Sequence, residues 1–319
     1  SAREQNLPIF VKKTTPKLDE SFWVNVIGRG YPVPNNTFRW CTDRLKIKPT
    51  SSFLFDQIDE KGEAIVLLGT RYEESATRAR SMRKHEVKGD RLSKHTTNIN
   101  TYVYAPIKNL MLEEIWYIIN SVPCPWGFDN KILFKIYSDA SADDYECPTV
   151  VTNKEHSSCG QSRFGCWTCT VVKQDKSMTA LIENGEDWMA PLLKFRNELV
   201  DGRNVSENRS DTRRNGMDAV HEDGHHFGNY EASYRAKLLR QLLEIQKGVQ
   251  ETKPHINLIT NQELIAIQVI WNRDGEFDFN ISDIYKKVYD RDLSTNNMKS
   301  LGKMERRILK EVCENSSEY

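Results

Sequence analysis

A net charge is missing from this chain, since 45 lysines and arginines are matched by 45 aspartates and glutamates. A uniform positive field that would attract nucleic acid is thereby excluded, and any contact with a phosphate backbone has to be local. No apolar run approaches the roughly 18 residues that a membrane-spanning helix needs. A Walker-type phosphate loop is also missing, so the sequence offers no glycine-rich cradle of that kind for a nucleotide.

Cysteine is scarce, with seven residues in 319, and its usage predicts a protein of the reducing cytoplasm. The length allows one large or two modest domains. The sequence starts with Ser1 and enters a strand-like run at residues 7–13 without a preceding element. We therefore expect that the chain is a fragment of a longer protein.

The cysteines are unevenly spread, because four of the seven fall within residues 147–169. Eleven, six and two residues separate Cys147, Cys159, Cys166 and Cys169, and the last two form a CxxC pair. Such spacing lets thiolates from a tight turn and its flanking loops converge on one metal centre. Four sulfur ligands suit zinc and an iron–sulfur cluster alike, so the spacing leaves both open. A disulfide pair or buried thiols are the alternatives, and the scattered positions of the other cysteines disfavour disulfides.

A second group of reactive and charged residues lies at residues 38–49. Cys41 is accompanied there by cations, and a helix is predicted to begin at Thr42 or Asp43. Cations and helix amides favour an anion and lower the pKa of a nearby thiol, which makes the thiol a better nucleophile. The alternative is a solvated amphipathic helix with a buried cysteine. The candidate anion-binding cations of this segment are Arg39, Arg44 and Lys46.

An uninterrupted apolar strand is predicted at residues 64–68, of the kind that is buried on both faces of a parallel sheet. Gly69, Arg71 and Glu74 follow it and open a helix that reaches about residue 83. Ligands of open α/β sheets bind at the carboxyl ends of strands, where Arg71 is placed to hold a phosphate or sulfate. A surface ion pair between Glu74 and Arg78 is the simpler alternative for that pair.

The remaining pattern predicts an α/β part followed by a helical part. The basic run at residues 84–100 is predicted to be a solvated loop or, beside an active site, a patch that touches a DNA backbone. Residues 201–229 are polar and poor in aliphatic side chains, which predicts a mobile loop. The other predicted elements are a helix at 22–27, a strand at 102–107, and helices at 109–120, 178–200, 234–245, 261–271, 280–289 and 296–312.

Three motifs resemble one group of enzymes. The sequence SRFGCWTC, which ends at Cys169, is similar to the cysteine region of the DndC-type sulfurtransferases of DNA phosphorothioation systems. That family belongs to the phosphoadenylylsulfate reductase-like branch of ATP pyrophosphatases, which the RWCTDRLK segment around Cys41 and the pattern GxRxxESxxR from Gly69 also resemble. The resemblance covers nearly the whole chain. The family's Ser-Gly-Gly-Lys-Asp-Ser loop is missing from it, and we expect that loop upstream of Ser1.

The resemblance implies a fold and a reaction. It implies a partial adenine-nucleotide-hydrolase-like domain of PP-loop type with a parallel sheet at residues 1–140, a cluster-binding region at 141–178 and a helical module at 179–319. ATP with Mg²⁺ would adenylate a phosphate of the DNA backbone, and sulfur from a cysteine desulfurase would then displace AMP. The implied partners are DNA, the desulfurase and other proteins of the phosphorothioation complex. The implied site residues are Cys147, Cys159, Cys166 and Cys169 as ligands of a [4Fe-4S] cluster, Cys41 as sulfur carrier, and Arg39, Arg44, Lys46, Gly69, Arg71 and Glu74 at the nucleotide.

Two rival functions remain open. An assimilatory phosphoadenylylsulfate reductase uses a carboxyl-terminal redox cysteine, whereas Cys313 lies in an unrelated-looking KEVCEN context. A nucleic-acid-binding module held together by zinc is the rival from another class, and the neutral net charge argues against it. Metal content separates the classes, because iron with labile sulfide indicates the enzyme family and zinc alone indicates the module.

Overall fold

The structure of the protein is a computed structural model that describes residues 4, 6–87, 90–95, 99–141, 166–222 and 224–293. The chain divides into two compact units that interleave along the sequence. Unit 1 comprises Ser1–Thr14, Lys48–Trp167 and Gln174–Met189, and unit 2 comprises Thr15–Ile47, Thr168–Lys173 and Ala190–Tyr319. The division into consecutive segments that end at residues 140 and 178 stays a prediction.

Helices make up most of the regular structure in both units. None of those in the described residues is both long and apolar enough to cross a lipid bilayer. The helix predicted at residues 296–312 lies outside the described residues, as does Cys313. In chain order the described helices are α1 (Trp40–Thr42), α2 (Lys48–Lys61), α3 (Ala76–His85), α4 (Leu112–Ser121), α5 (Asn130–Ser141), α6 (Lys176–Glu183), α7 (Ala190–Gly202), α8 (Ala232–Thr252), α9 (Asn261–Arg273) and α10 (Ile281–Tyr289).

Unit 1 contains a small mixed sheet, so the predicted α/β class is confirmed. Strands β1 (Ala64–Leu67) and β3 (Thr101–Tyr104) are parallel, and β2 (Ser93–Lys94) pairs with β3 in the antiparallel sense, which gives the order β1-β3-β2. The prediction that the first strand is buried on both faces is wrong, because Ile65 and Leu67 are 53% and 68% exposed. The alternation of covered and exposed residues along β1 is the pattern of a strand with one covered face.

The opening residues 7–13 do not form the strand that their apolar character predicted. Phe10 and Val11 are 90% and 99% exposed. A strand exists only when a neighbouring strand takes up its backbone hydrogen bonds, and these residues lie outside the three-stranded sheet. The apolar pattern was therefore not sufficient to predict pairing.

Unit 2 is helical, as predicted for the carboxyl-terminal part, and its core forms around α8. Residues Val24–Gly28 form a wholly buried π-helical turn where a short amphipathic helix was predicted. The indole Nε1 of Trp271 in α9 donates to the carbonyl oxygen of Ile27 at 2.9 Å and ties this turn to the helices. The side chains of α8 that are at most 1% exposed are Leu238, Leu239, Leu242 and Leu243.

The segment at residues 203–230 has little regular structure but is folded on itself. Single antiparallel bridges join Arg209 to Tyr230, Thr212 to Asp218 and Val220 to His226. Arg209 is 5% exposed, and its guanidinium donates to the carbonyl oxygens of Gly228 and Phe227 at 2.7 and 2.6 Å. Composition predicted a loop here; it did not predict a loop that closes around a buried arginine.

Candidate functional site

A cavity of about 180 Å³ opens in unit 1 where the parallel strands end. Leu68, which follows β1, and Ala105, which follows β3, both line it. Open α/β sheets bind ligands at this edge, because the loops and helix starts converge there. The polar lining is dominated by positively chargeable side chains, with one carboxylate among them. These residues are His85, Arg91, Lys94, His95 and Lys108, and the carboxylate is that of Glu86.

One lysine of this cavity is fixed in position by its neighbours. The Nζ atom of Lys108 lies 2.6 Å from Oε1 of Glu86, and the hydroxyl of Tyr72 donates to the same carboxylate oxygen. The hydrogen bond to Glu86 raises the pKa of Lys108, and the hydrogen bond from Lys108 lowers the pKa of Glu86. The ammonium therefore stays charged throughout the neutral range. Lys108 was not singled out from the sequence, although a cation directly after a predicted strand is the signal that indicates it.

The residues predicted to bind an anion directly after β1 are engaged among themselves. Arg71 is 6% exposed, and its Nη1 atom lies 3.2 Å from Oε2 of Glu73 and 3.2 Å from the carbonyl oxygen of Leu110. Its Nε atom is 4.0 Å from Oε1 of Glu74. Glu74 also forms the ion pair with Arg78 that the sequence analysis gave as the alternative. Two nearby carboxylates thus contact the guanidinium of Arg71, and its role in anion binding stays a prediction. Gly69, Arg71 and Glu74 are not among the residues that line the cavity.

The predicted thiol and cation segment belongs to unit 2, and its helix starts earlier than expected. α1 begins at Trp40, with Arg39 as its N-cap, so Cys41 lies inside the first turn and not before it. Cys41 is half-buried, whereas Arg39 and Lys46 are exposed. The prediction of a helix start at Thr42 or Asp43 is therefore wrong. The helix starts before Cys41 in the sequence and not after it.

Arg44 is the cation of this segment that turns into unit 2. Its Nη1 atom donates to Oδ1 of the fully buried Asn25 at 2.6 Å, and its Nη2 atom donates to the hydroxyl of Tyr31 at 3.3 Å. Its guanidinium also lies 5.0 Å from the centre of the Tyr31 ring, within the range of a cation–π contact. Nη1 of Arg29 donates to the same Asn25 oxygen at 3.2 Å. Two arginines thus meet at one amide.

The cysteine region is only partly described. Cys147 and Cys159 lie outside the described residues, and Cys166 and Cys169 are half-buried. Within the part of the chain that the structure describes, no three potential ligands form a metal-binding group. Two of the four predicted ligands are outside that part, so the cluster prediction stays a prediction.

A buried arginine holds the backbone that follows the CxxC pair. Arg196 of α7 is 0% exposed, and its Nε and Nη1 atoms donate to the carbonyl oxygens of Cys169 and Lys173 at 2.9 and 2.8 Å. Its Nη2 atom donates to the carbonyl oxygen of Val172. Three carbonyls within five residues are thus fixed by one guanidinium. The backbone next to Cys169 is thereby held in one conformation.

A second set of contacts fixes the same segment to another part of unit 2. The hydroxyl of Thr170, a residue only 2% exposed, donates to the carbonyl oxygen of Pro34 at 2.6 Å. Nη1 of Arg203 donates to that oxygen at 3.1 Å and to the carbonyl oxygen of Thr170 at 3.2 Å. The segment is consequently anchored from two sides by arginines. Such positioning is what a metal ligand requires of its supporting residues.

No protein-family model, curated protein or solved structure matches this chain.

Proposed function

We propose that the chain is part of a DndC-type sulfurtransferase that acts on phosphates of the DNA backbone. The observation that carries the proposal furthest is the cation-lined cavity at the carboxyl ends of β1 and β3. A phosphate that is to be activated needs positive charge in a fixed place, and Lys108 is held there by Glu86. The resemblance of the cysteine and arginine motifs to this family supplies the reaction class.

The cavity cations have a defined task in the proposed reaction. An oxygen of the DNA phosphate attacks the α-phosphorus of ATP, a new P–O bond forms, and the bond from that phosphorus to the oxygen that bridges to the β-phosphate breaks, so that pyrophosphate leaves. Mg²⁺ bound with ATP would offset part of the charge of the leaving pyrophosphate. Lys94, Lys108 and Arg91 offset the negative charge that accumulates when two phosphates approach each other. Cys41 is the proposed carrier, and it holds sulfur from a cysteine desulfurase as a persulfide. The terminal persulfide sulfur attacks the DNA phosphorus, the P–S bond forms, and AMP leaves with the bridging oxygen. A thiol of an external dithiol reductant then cleaves the S–S bond, which releases the phosphorothioate and leaves a disulfide with Cys41.

The described cysteines fit a thiolate-bound metal centre. Cys166 and Cys169 are half-buried thiols, and soft sulfur ligands select zinc or an iron–sulfur cluster. A [4Fe-4S] cluster bound by Cys147, Cys159, Cys166 and Cys169 would supply a redox-active or structural centre. Arg196 would hold the backbone of Cys169 and place a positive charge near the anionic thiolates, which lowers the free energy of the charged centre.

Anaerobic metal analysis tests the proposed centre. The purified chain is expected to carry about four iron and four labile sulfide ions, with visible absorption. Cys166→Ser is expected to be colourless and to lose most of its iron, since an alcohol is a poor ligand for the cluster iron. Cys124→Ser is the matched control, because Cys124 is also half-buried but lies outside the cysteine region, and it should keep wild-type iron. Zinc without sulfide in the wild type would contradict the proposal and favour the zinc-stabilised module.

Fluorescence anisotropy with a labelled DNA duplex tests the cavity in unit 1. Lys94→Gln removes one exposed lining cation. It is expected to lower the affinity about fivefold, or about 1 kcal/mol, and to reduce the slope of log K against log salt by about 1. Lys61→Gln is the control, because Lys61 is exposed in the same unit but does not line the cavity. Equal affinities and slopes for the two variants would show that DNA does not contact this cavity.

A further inference from the structure

A second cavity, of about 390 Å³, lies within unit 2 at the start of α8. Three arginines from separate parts of the sequence line it: Arg29 follows the buried π-helical turn, Arg214 belongs to the folded loop, and Arg235 is in the first turn of α8. Its volume lies in the range of small-molecule binding sites. The lining also includes Ser210, Thr212, Glu231, Asp274 and Glu276.

The arginines are held by specific partners. Arg235 is 5% exposed and donates through Nη1 to the carbonyl oxygen of Gly28 at 3.0 Å and through Nη2 to Oε1 of Glu276 at 2.5 Å. Nη1 of Arg214 lies 2.7 Å from Oδ2 of Asp274. The Nε atom of Arg235 is buried and has no hydrogen-bond partner. One donor of this buried side chain thus remains unsatisfied next to the cavity.

The three guanidinium groups of the lining are matched by three carboxylates, those of Glu231, Asp274 and Glu276, but the arginines are gathered at an electrostatic cost. Burial lowers the pKa of the Arg29 guanidinium; Asp19 opposes the shift, and the neighbouring Arg44 and Arg214 add to it. Burial likewise lowers the pKa of Arg235, opposed by Glu276. Clustered like charges that are partly removed from water are more typical of a binding site than of an ordinary surface.

The end of α8 adds further hydrogen-bond donors. The first amides of a helix have no acceptor within it, and the side chain of the N-cap residue Glu231 does not cap them. α8 has 21 residues, so the partial positive charge at its start is fully developed. Amides of this kind bind phosphate at the starts of helices in many proteins. The first residue of α8, Ala232, and its N-cap Glu231 line the same cavity as the three guanidinium groups.

We propose that this cavity binds a phosphate group, through Arg29, Arg214 and the first amides of α8. Asp274 and Glu276 orient Arg214 and Arg235, and the hydroxyl groups of Ser210 and Thr212 are additional donors. A phosphate rather than a carboxylate is favoured, because its several oxygens can accept from guanidinium groups that approach from different sides. The phosphate belongs either to DNA or to a small phosphorylated molecule. The site lies apart in sequence from the cavity in unit 1 and does not depend on the sulfurtransferase proposal.

Isothermal titration calorimetry with inorganic phosphate tests this site. The measurement uses the Lys94→Gln protein as background, so that phosphate binding at the cavity in unit 1 is weakened. Adding Arg214→Gln is expected to weaken phosphate binding at least about tenfold. Arg214 is 31% exposed, and its partner Asp274 keeps a second contact with Arg273 at 3.1 Å, so the fold should tolerate the change. Arg240→Gln, at an exposed position of α8, is the matched control and should bind as the background protein does.

A thymidine oligonucleotide then identifies the source of the phosphate. Competition with inorganic phosphate that depends on Arg214 would assign the site to the DNA backbone, and phosphate binding without competition would assign it to a small phosphorylated ligand. Absence of phosphate binding, or equal binding by the Arg214→Gln and Arg240→Gln proteins, would overturn the proposal. The effect of Lys94→Gln on DNA binding is measured separately. The proposal for one cavity can therefore be contradicted while the proposal for the other stands.

Discussion

Replacing Arg196 by methionine is expected to destabilise the protein by about 3–5 kcal/mol. The guanidinium is 0% exposed and serves the carbonyl oxygens of Cys169, Val172 and Lys173. Methionine approximates the volume of the side chain but donates no hydrogen bond. Each of the three oxygens would then lose its donor at a partly buried place, and buried unsatisfied acceptors cost about 1–3 kcal/mol apiece. The free energy of unfolding, measured by urea denaturation, reports the loss.

Two further variants separate the geometry of Arg196 from its charge. Arg196→Lys keeps the positive charge but cannot reach three carbonyls, so an intermediate loss is expected. Arg240→Met removes an exposed arginine of α8 whose ion pair with Glu244 spans 2.8 Å, and it should cost no more than about 0.5 kcal/mol. If Arg196→Met unfolds at the same urea concentration as Arg240→Met, the three carbonyl contacts contribute nothing to stability.

The same variant bears on the proposed metal centre. The backbone of Cys169 is one end of the segment that Arg196 holds, so its release should lower iron content in parallel with stability. Iron is therefore measured on the same samples before urea is added. Full iron content in a destabilised Arg196→Met protein would show that Arg196 stabilises the fold but does not position the metal ligands.

Sequence reasoning succeeded where structure depends on neighbours along the chain. α9 was predicted at residues 261–271 with Thr260 or Asn261 as its cap, and Thr260 caps the helix by accepting from the amide of Glu263 at 3.2 Å. α10 was predicted at residues 280–289, and in the structure Asn280 is its N-cap. The strand at β1 was also predicted to within one residue. A capping side chain and a periodic apolar face act within a few residues, so they are visible in the sequence.

Prediction failed where the deciding partner is distant in sequence. Residues 7–13 have the composition of a strand, yet they lie outside the sheet. The turn Val24–Gly28 is π-helical and is buried against α9. The hydrogen bond between Trp271 and Ile27 joins residues that are more than 230 positions apart in the sequence. Pairing and packing of this kind depend on long-range contacts, and no local pattern contains them.

The candidate sites show the same limit. Arg71 was singled out because it follows a strand, but carboxylates at Glu73 and Glu74 occupy it. Lys108 was missed, although it lines the cavity in unit 1, where it is paired with Glu86. The arginines of the second cavity are separated by up to 206 positions in sequence, between Arg29 and Arg235. Residue type indicates which chemistry is available, while the fold decides which charges are already neutralised.

Gly228→Ala is expected to destabilise the folded loop at residues 203–230 by about 3 kcal/mol or more. A Cβ atom at this position would overlap the backbone carbonyl oxygens of Thr212 and Ser210, and backbone atoms cannot move aside as a flexible side chain can. The amide of Gly228 also donates to the carbonyl oxygen of Ser210 at 3.0 Å, so the two chain segments are in direct contact. Moving them apart would displace Arg209, whose Nε atom donates to the carbonyl oxygen of Gly228 at 2.7 Å.

The same glycine substitution elsewhere provides a control of opposite sign. Gly248 lies exposed within α8 with nothing near its missing Cβ, so Gly248→Ala should stabilise the protein by about 0.5–1 kcal/mol through helix propensity. Thermal unfolding distinguishes the two directions. Because the loop carries Ser210, Thr212 and Arg214 to the second cavity, Gly228→Ala should also lose phosphate binding, whereas Gly248→Ala should keep it. Wild-type stability and wild-type phosphate affinity in Gly228→Ala would show that the close approach of the two segments is not needed for either.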